Sequence, residues 1–288
     1  MRNSICKRAA SESKILDSKQ DSILEVAKEA AIRGGNILMK HYGSIETIEN
    51  KGRIGDLVTN ADLEAEEEII SFLKNKTPEI GIFAEESGAS GSQNDLIWCI
   101  DPLDGTTNFA HGYPLFATSV GLLWKSNPIL GAISVPFLNE LYFASPSQGS
   151  FCNDQRINVS NTASLKDSLL VTGFAYDRQT LLDNNYAEFC HLTHRTRGVR
   201  RGGAASVDLA FVANGRLDGY WERGLAQWDL AAGIPIVEMA GGVINDYKSE
   251  EFKLNNGRIL ACNPTLENEL KNELKKVNPL AKDSYGGN

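Results

Sequence analysis

The sequence predicts an α+β half, at about residues 21–160, joined without a flexible hinge to an α/β half at about residues 161–280. Three patterns predict this fold class: apolar residues at helical spacing open the chain, β-rich runs cluster after Gly81, and strands alternate with helices after Leu169. Hydrophobic residues make up 42% of the 288 residues, as in a globular protein with a packed core. We expect residues 1–20 to be disordered and residues 281–288 to form a flexible tail.

Two amphipathic helices are predicted ahead of the strands. Ser22 and Glu25 have the spacing of a capping box that opens the first helix. Its apolar stripe consists of Leu24, Ala27, Ala31, Leu38 and Tyr42. The second helix follows Thr59 and has one apolar face, made of Ala61, Ala65, Ile69, Phe72 and Leu73. We expect its acidic face to be solvated, at Glu64, Glu66, Glu67 and Glu68.

Strands follow, and helices then alternate with strands. The first strands are predicted at residues 82–84, 96–100, 116–124, 129–135 and 141–144. Later helices are predicted at residues 180–194 and 205–213, from Asp229 to Gly241, and past Pro264. Strands are predicted between them at residues 217–221 and 259–262. Pro235 should kink the helix that contains it.

Charge and hydropathy exclude two classes of partner. The formal net charge of −8 argues against general nucleic-acid binding, which needs a basic surface. The longest uncharged stretches fall short of the ~20 apolar residues of a membrane span, so a soluble protein is expected. The basic first twenty residues lack the apolar core of a secretory signal, and an organelle transit segment stays open.

The cysteines and histidines predict neither disulfides nor a zinc site. The five cysteines include no Cys-x-x-Cys pair, which is typical of a reducing compartment, and we expect the cytoplasm. His191 and His194 lie three residues apart without a second ligand pair, and a solvated helix face is the better interpretation.

The segment from Trp98 to Phe109 carries the strongest chemical signal. A buried strand is predicted to deliver Asp101 at its carboxyl end, where α/β folds place ligand sites. Pro102 stiffens the bend, so that the carboxylates of Asp101 and Asp104 can point into one space with the Leu103 carbonyl. The alternative interpretation is a polar turn, since Asp, Pro and Gly are common turn residues.

An anion site is predicted directly after these carboxylates. Gly105 has no side chain, so a phosphate can approach the backbone there. The amides of Gly105, Thr106 and Thr107 would then open a short helix with its positive dipole end towards the anion. Carboxylates beside this site would repel a phosphate unless a divalent cation lay between them, and hard oxygen ligands indicate Mg²⁺.

Acidic residues elsewhere favour a metal site over a simple turn. Glu85 and Glu86 follow another predicted strand, and Asp229 lies at a helix start, where a helix cap is the alternative. An EF-hand is excluded, because Gly112 stands where that loop needs a glutamate, counting from Asp101.

Together these motifs make the chain resemble the inositol monophosphatase family, in particular its bacterial branch, from about residue 21 to 275. The motifs are Asp56-Leu-Val-Thr-Asn-Ala-Asp62, Glu85-Glu-Ser, Asp101-Pro-Leu-Asp-Gly-Thr-Thr-Asn-Phe109 and Trp228-Asp-Leu-Ala-Ala-Gly233. The resemblance implies a layered αβαβα sandwich of the sugar-phosphatase type, a homodimer, and inhibition by lithium. It implies hydrolysis of inositol monophosphate, or of a similar small polyol or sugar phosphate, by water that two Mg²⁺ ions activate.

The resemblance also implies a role for individual residues. A first Mg²⁺ is expected at Glu85, Asp101 and the Leu103 carbonyl, and a second at Asp101, Asp104 and Asp229. Asp62 and Thr106 are expected to position and deprotonate the attacking water, and Lys51 to lie on a mobile loop over the site. The amides of Gly105, Thr106 and Thr107 would hold the phosphate. Glu222 and the Ala205 backbone would face the alcohol portion of the substrate.

Three positions depart from the family pattern. Ala204 stands where a hydroxyl residue is common, Ser206 where Ala is usual, and Met239 where an acid often precedes Ala-Gly-Gly. None is an expected metal ligand, so these departures concern the identity of the polyol and not the reaction.

Alternatives of three kinds stay open. The motif superficially resembles haloacid-dehalogenase-like enzymes, which form an aspartyl phosphate, but those place the two aspartates one residue apart. Histidinol phosphate, fructose 1,6-bisphosphate and nucleotide 3′-phosphates are alternative substrates within the family. A non-catalytic phosphosugar-binding or regulatory protein would be favoured by loss of a metal carboxylate, and all are present.

Overall fold

The computed structural model describes residues 4–12, 19–52, 56–91, 95–249 and 251–280. Its α-helices are α1 Ile5–Glu12, α2 Gln20–His41, α3 Asn60–Lys76, α4 Thr106–Ala110, α5 Tyr186–Thr193, α6 Ala205–Ala213, α7 Gln227–Ala231, α8 Gly233–Met239 and α9 Glu267–Lys275. Its strands are β1 Ile48–Asn50, β2 Leu57–Thr59, β3 Gly81–Ala84, β4 Gly88–Ser90, β5 Leu96–Asp104, β6 Ala117–Trp124, β7 Asn127–Val135, β8 Glu140–Ser145, β9 Gly149–Cys152, β10 Gln155–Arg156, β11 Leu169–Thr172, β12 Gly198–Arg201, β13 Gly219–Arg223, β14 Val243–Asn245 and β15 Arg258–Cys262.

Two sheets organise these elements. The larger has eight strands in the order β10-β9-β8-β7-β6-β5-β3-β4, with β3 and β5 parallel and its other neighbours antiparallel. The smaller has five strands in the order β12-β11-β13-β15-β14. The short strands β1 and β2 pair separately as a hairpin.

Alternating side chains show how the layers stack. In β5, Trp98 and Ile100 pack into an apolar cluster with α2 and α3, whereas Cys99 packs on the other side with α6 and α8. In β13, Tyr220 packs into the same cluster as Cys99, which is called the inner cluster because it lies between the two sheets. Trp221 packs on the outer side of β13 with residues of α9. The order is therefore helix, sheet, helix, sheet, helix, which confirms the predicted αβαβα sandwich.

The amino-terminal helices follow the predicted pattern with two corrections. Leu24, Ala27, Ala31 and Leu38 are fully buried, as expected. However, α2 begins before the predicted capping box, and the Ser22 hydroxyl donates to the Lys19 carbonyl at 2.8 Å. The start is therefore set by the backbone bonds of the first turn and not by a serine acceptor.

Glu66 is the second correction, because it is buried and not on a solvated face. Its carboxylate accepts the backbone N–H of Glu86 at 2.9 Å and that of Ser87 at 2.8 Å. These amides belong to the turn after β3, so the two hydrogen bonds fasten that turn to α3. The acidic side of α3 therefore holds the loop that carries Glu85 and Glu86.

Later in the chain, two predicted helices are shorter than expected. Of residues 180–194 only α5 is helical, because Asn185 adopts a left-handed conformation with φ of 72° directly ahead of it. The helix predicted from Asp229 to Gly241 is split at Ala232 into α7 and α8. Pro235 lies in α8, and its missing N–H and bulky ring explain the break.

Residues 4–12 differ from the disorder expected for residues 1–20. They contain α1, whose Cys6 side chain is fully buried against the inner cluster. The Glu238 carboxylate of α8 accepts the N–H groups of Ile5 and Cys6 at 3.0 Å each and the Ser4 hydroxyl at 2.8 Å. A carboxylate at the start of α1 satisfies its free amides and favours the helix. The tail predicted at residues 281–288 lies outside the described residues.

Within the described ranges, no helix combines the length and apolarity needed to cross a bilayer.

Candidate active site

A cavity of about 510 Å³ opens where the carboxyl end of β5 meets the amino-terminal ends of α4, α6 and α7. The pairing of β5 with β6 is irregular between Asp101 and Asp104. Pro102 lies in this irregular stretch, as the sequence predicted for the bend. The chain therefore presents two carboxylates within four residues to the same cavity.

Three carboxylates converge in the cavity. Asp101, Asp104 and Asp229 each offer an oxygen, and these oxygens all lie within 4.8 Å of one another. Asp229 belongs to the first turn of α7, where its carboxylate also accepts the Ala226 N–H at 2.7 Å. Asp229 is therefore not the cap residue, which is Ala226, but its carboxylate closes the first turn of α7 and can still offer an oxygen to a cation.

Burial makes this cluster a strong candidate for a cation site. It raises the pKa of Asp101 well above its usual value, and the neighbouring carboxylates of Glu85, Asp104 and Asp229 raise it further. Burial likewise raises the pKa of Asp229, together with Asp104 and Glu85. Carboxylates this close together can all stay ionised at neutral pH only if a cation binds among their oxygens. Without a cation, some of them must be protonated. The residues present therefore fit a hard divalent ion.

Lys51 brings a positive charge to the wall of the cavity. Its Nζ donates to Glu85 Oε1 at 2.9 Å and also pairs with Glu86. Burial alone would lower the pKa of Lys51, but the Glu85 and Glu86 carboxylates raise it, so the amine stays charged. The loop from Lys51 thus reaches the expected first metal site, although residues 53–55 of that loop lie outside the described residues.

Thr106 and Asp62 form a polar pair beside the cluster. The Thr106 hydroxyl lies 3.3 Å from Asp62 Oδ1 and 3.0 Å from the Leu103 carbonyl, and it can donate to either. The other Asp62 oxygen accepts the Thr59 N–H at 2.8 Å and the Thr59 hydroxyl at 2.6 Å. Burial raises the pKa of Asp62 to about 7, although the Thr59 hydrogen bonds oppose it. Asp62 can therefore gain or lose a proton near neutral pH.

Gly105 gives the backbone its close approach to the cavity. It caps α4 with φ of 88°, a conformation that other residues rarely adopt. A Cβ there would lie 3.0 Å from both the Leu115 carbonyl and the Ala204 side chain. The glycine is therefore needed for the turn that brings Gly105, Thr106 and Thr107 to the cavity wall.

Glu222 lines the opposite wall. Its Oε2 accepts the Tyr220 hydroxyl at 2.7 Å, and burial raises its pKa to about 7. Gly173 lies against it so closely that a Cβ there would be 2.2 Å from Oε2. The neighbouring Arg223 does not pair with Glu222 within the described structure, because its guanidinium binds both oxygens of Asp177, at 2.7 and 2.8 Å. Tyr220 and Gly173 therefore hold the Glu222 carboxylate at the cavity wall.

The structure brings together the residues that the sequence singled out. Those lining the cavity are Lys51, Glu85, Asp101, Leu103, Asp104, Gly105, Thr106, Thr107, Ala205, Glu222 and Asp229. Asp62 contacts the cavity through Thr106. Their roles in binding and catalysis stay predictions.

Several residues at or beside the cavity were not predicted from the sequence. Phe174, Tyr176 and Arg201 line the cavity from segments without a recognisable signal. The side-chain amide of Asn108 donates to the Leu115 carbonyl at 2.7 Å and to the Gly202 carbonyl at 3.0 Å. It ties α4 to the loop ahead of α6, and its place inside the motif was the available signal.

Known proteins share this architecture over most of the chain. Residues 19–279 match a family model described as the inositol monophosphatase family. The chain is 52% identical to an inositol-1-monophosphatase of Synechocystis sp., covering 87% of this chain and 88% of the relative. It is 37% identical to a Nus factor SuhB of Pasteurella multocida, covering 91% and 98%. A solved inositol monophosphatase from Anabaena (Nostoc) sp. superposes with a TM-score of 0.84 at 46% identity, covering 91% and 98%.

Proposed function

This chain belongs to the inositol monophosphatase family, and we propose that it is a Mg²⁺-dependent enzyme that hydrolyses inositol monophosphate or a similar small polyol phosphate. Phosphatase activity follows from the family and from the curated inositol-1-monophosphatases among its relatives. One observation carries the finer proposal: the oxygens of Asp101, Asp104 and Asp229 lie within 4.8 Å of one another, in the cavity that the amino-terminal residues of α4 also line.

Two cation sites are assigned to the acidic residues. Glu85, Asp101 and the Leu103 carbonyl would hold a first Mg²⁺, and Asp101 would share a second with Asp104 and Asp229. The donor set supports this assignment, because buried carboxylates and a carbonyl are the hard oxygen ligands that Mg²⁺ prefers. When bound, Mg²⁺ would lower the pKa of water and neutralise the charge of the phosphate.

Thr106 and Asp62 are assigned to water activation. The attacking water would give its proton to the Thr106 oxygen while the Thr106 hydroxyl proton passes to Asp62 Oδ1. The 3.3 Å separation between these two atoms supports the relay. The Thr59 hydrogen bonds keep the other Asp62 oxygen occupied and orient the carboxylate. No covalent phosphoenzyme is required, because the nucleophile is water.

The remaining residues are assigned to binding. The amides of Gly105, Thr106 and Thr107 would donate hydrogen bonds to the phosphate at the start of α4. Glu222 would accept hydrogen bonds from vicinal hydroxyls of the alcohol, beside the Ala205 backbone. Lys51 would cover the site while its amine pairs with Glu85 and Glu86.

Other functions find less support. The haloacid-dehalogenase-like alternative disagrees with the family match. A purely non-catalytic role, for example as a Nus factor, the name that some relatives carry, would leave the clustered carboxylates of Asp101, Asp104 and Asp229 without use. Histidinol phosphate, fructose 1,6-bisphosphate and nucleotide 3′-phosphates remain alternative substrates for the same chemistry.

Assembly and location are also part of the proposal. We infer a homodimer from the family, which light scattering on the purified protein tests. We infer a cytoplasmic location from the five cysteines, all of which are free thiols. Fractionation of the source cells tests the location.

A panel of phosphate monoesters tests the substrate. Inositol 1-phosphate, fructose 1,6-bisphosphate, histidinol phosphate, a nucleoside 3′-phosphate and p-nitrophenyl phosphate would be compared by kcat/KM with saturating Mg²⁺. We expect the highest value for inositol 1-phosphate. A higher value for another ester would reassign the substrate, and no turnover of any ester would refute the phosphatase.

A further inference from the structure

Ser206 directs two donors at one oxygen of the acidic cluster. It is fully buried at the second position of α6. Its backbone N–H donates to Asp104 Oδ2 at 2.6 Å, and its hydroxyl donates to the same oxygen at 2.5 Å. Ser206 therefore binds this one oxygen twice, through its backbone and through its side chain.

Asp104 replaces the missing cap of α6. The residue in the cap position, Ala204, has no side-chain acceptor, so the carboxylate arriving from β5 takes the first amides of the helix instead. Any residue at position 206 except proline supplies that amide. The hydroxyl is a second donor that only the side chain supplies, so a substitution can remove it while the amide bond stays.

The hydroxyl has two opposing effects on a bound cation. It withdraws some negative charge from Asp104, which weakens the carboxylate as a ligand. It also holds the carboxylate in one orientation, from a side chain that is itself fully buried. Groups that hold a metal ligand in this way typically strengthen binding, and their loss costs about 10–100-fold in metal affinity. Orientation is therefore expected to dominate.

We propose that Ser206 is a positioning residue that raises the affinity for the cation held by Asp101, Asp104 and Asp229. The inference rests on the proposed function, because that function assigns a cation to these three residues. It adds that one hydroxyl outside the ligand set controls the occupancy of this site. Ser206 itself touches neither substrate nor cation in this scheme.

Binding of Mn²⁺ alone, followed by electron paramagnetic resonance of the metal-stripped full-length protein, tests the inference without turnover. Ser206→Ala removes the hydroxyl and keeps the amide, and we expect one class of its Mn²⁺ sites to lose about 10–100-fold in affinity. Ser206→Cys keeps the bulk but has only a weak donor, and should lose affinity similarly. Ser206→Thr keeps the hydroxyl and should bind nearly as the wild type does.

Ser150→Ala is the matched control. Ser150 is a fully buried serine whose hydroxyl has no hydrogen-bond partner within the described structure, and it lies outside the cavity. Its variant should keep the wild-type affinity, and circular dichroism in EDTA should show that all variants are folded. Unchanged Mn²⁺ affinity in Ser206→Ala, or an equal loss in Ser150→Ala, would overturn the inference. Failure of the wild type to bind Mn²⁺ would instead overturn the proposed metal sites, so the two failures are distinguishable.

Discussion

Replacing Glu222 with glutamine should reduce hydrolysis of inositol phosphate far more than hydrolysis of a simple aryl phosphate. The Tyr220 hydroxyl already occupies Oε2 at 2.7 Å, so Oε1 is the oxygen left for a substrate hydroxyl. Glutamine keeps the shape but removes the charge. A hydrogen bond to a charged group contributes about 1.5–3 kcal/mol, which corresponds to a roughly 10- to 150-fold lower kcat/KM.

The assay compares two substrates under one condition. kcat/KM would be measured for inositol 1-phosphate and for p-nitrophenyl phosphate, above pH 7. In that range Glu222 is mostly ionised, because burial raises its pKa only to about 7. p-Nitrophenyl phosphate has no vicinal hydroxyls, so its kcat/KM should stay within about threefold of the wild-type value.

Glu140→Gln is the matched control for this substitution. Glu140 also accepts a tyrosine hydroxyl from two residues away in its strand, with Tyr142 at 2.7 Å, but it lies outside the cavity. Its variant should leave both substrates unaffected. Equal losses on both substrates in Glu222→Gln would refute the reasoning, because they would show that Glu222 serves the metal site or the fold.

Two further predictions concern the water-activating pair. Thr106→Ala should lower kcat by about 10²–10⁴, the usual contribution of general-base help, and in ¹⁸O-labelled water the wild type should place the label in phosphate without a phosphoenzyme; phosphate trapped on Asp101 or Asp104 would contradict this. In EDTA, Asp62→Asn should gain stability relative to the wild type as the pH rises. Burial raises the pKa of Asp62 in the folded state from 3.8 to about 7, so the stability that its proton contributes is fully present below pH 3.8 and is lost as the pH rises through 7. The difference amounts to at most about 4 kcal/mol in the free energy of unfolding, and a melting-temperature difference that does not change with pH would contradict it.

Local signals predicted the parts of the fold that depend on a few neighbouring residues. Helix α3 begins directly after Thr59, as predicted. Thr59 is its N-cap, and the Asp62 side chain that completes the capping box lies only three residues later. The turn at Gly105 and the short helix after it also follow from adjacent residues. Short-range spacing is sufficient where the interacting groups are covalently close.

Long-range pairings could not be predicted in this way. Glu66 has the same residue type as its solvated neighbours, and its burial depends on amides twenty residues later in the chain. Arg223 stands beside Glu222 but pairs with Asp177 from another segment. Ser206 and Asp104 are 102 residues apart, and their contact follows only from how α6 packs against the end of β5. Such contacts depend on tertiary packing, which no local pattern encodes.

Mg²⁺ titration of the metal-stripped enzyme tests the central claim, that the buried carboxylates hold the cations on which hydrolysis depends. Phosphate release from inositol 1-phosphate would be followed in the wild type and in Asp101→Asn, which is isosteric but removes the charge expected to serve both sites. We predict no release in excess EDTA, restoration by Mg²⁺ in the wild type, and almost none at any Mg²⁺ concentration in the folded variant. Full activity in EDTA, or wild-type activity in Asp101→Asn, would contradict the account.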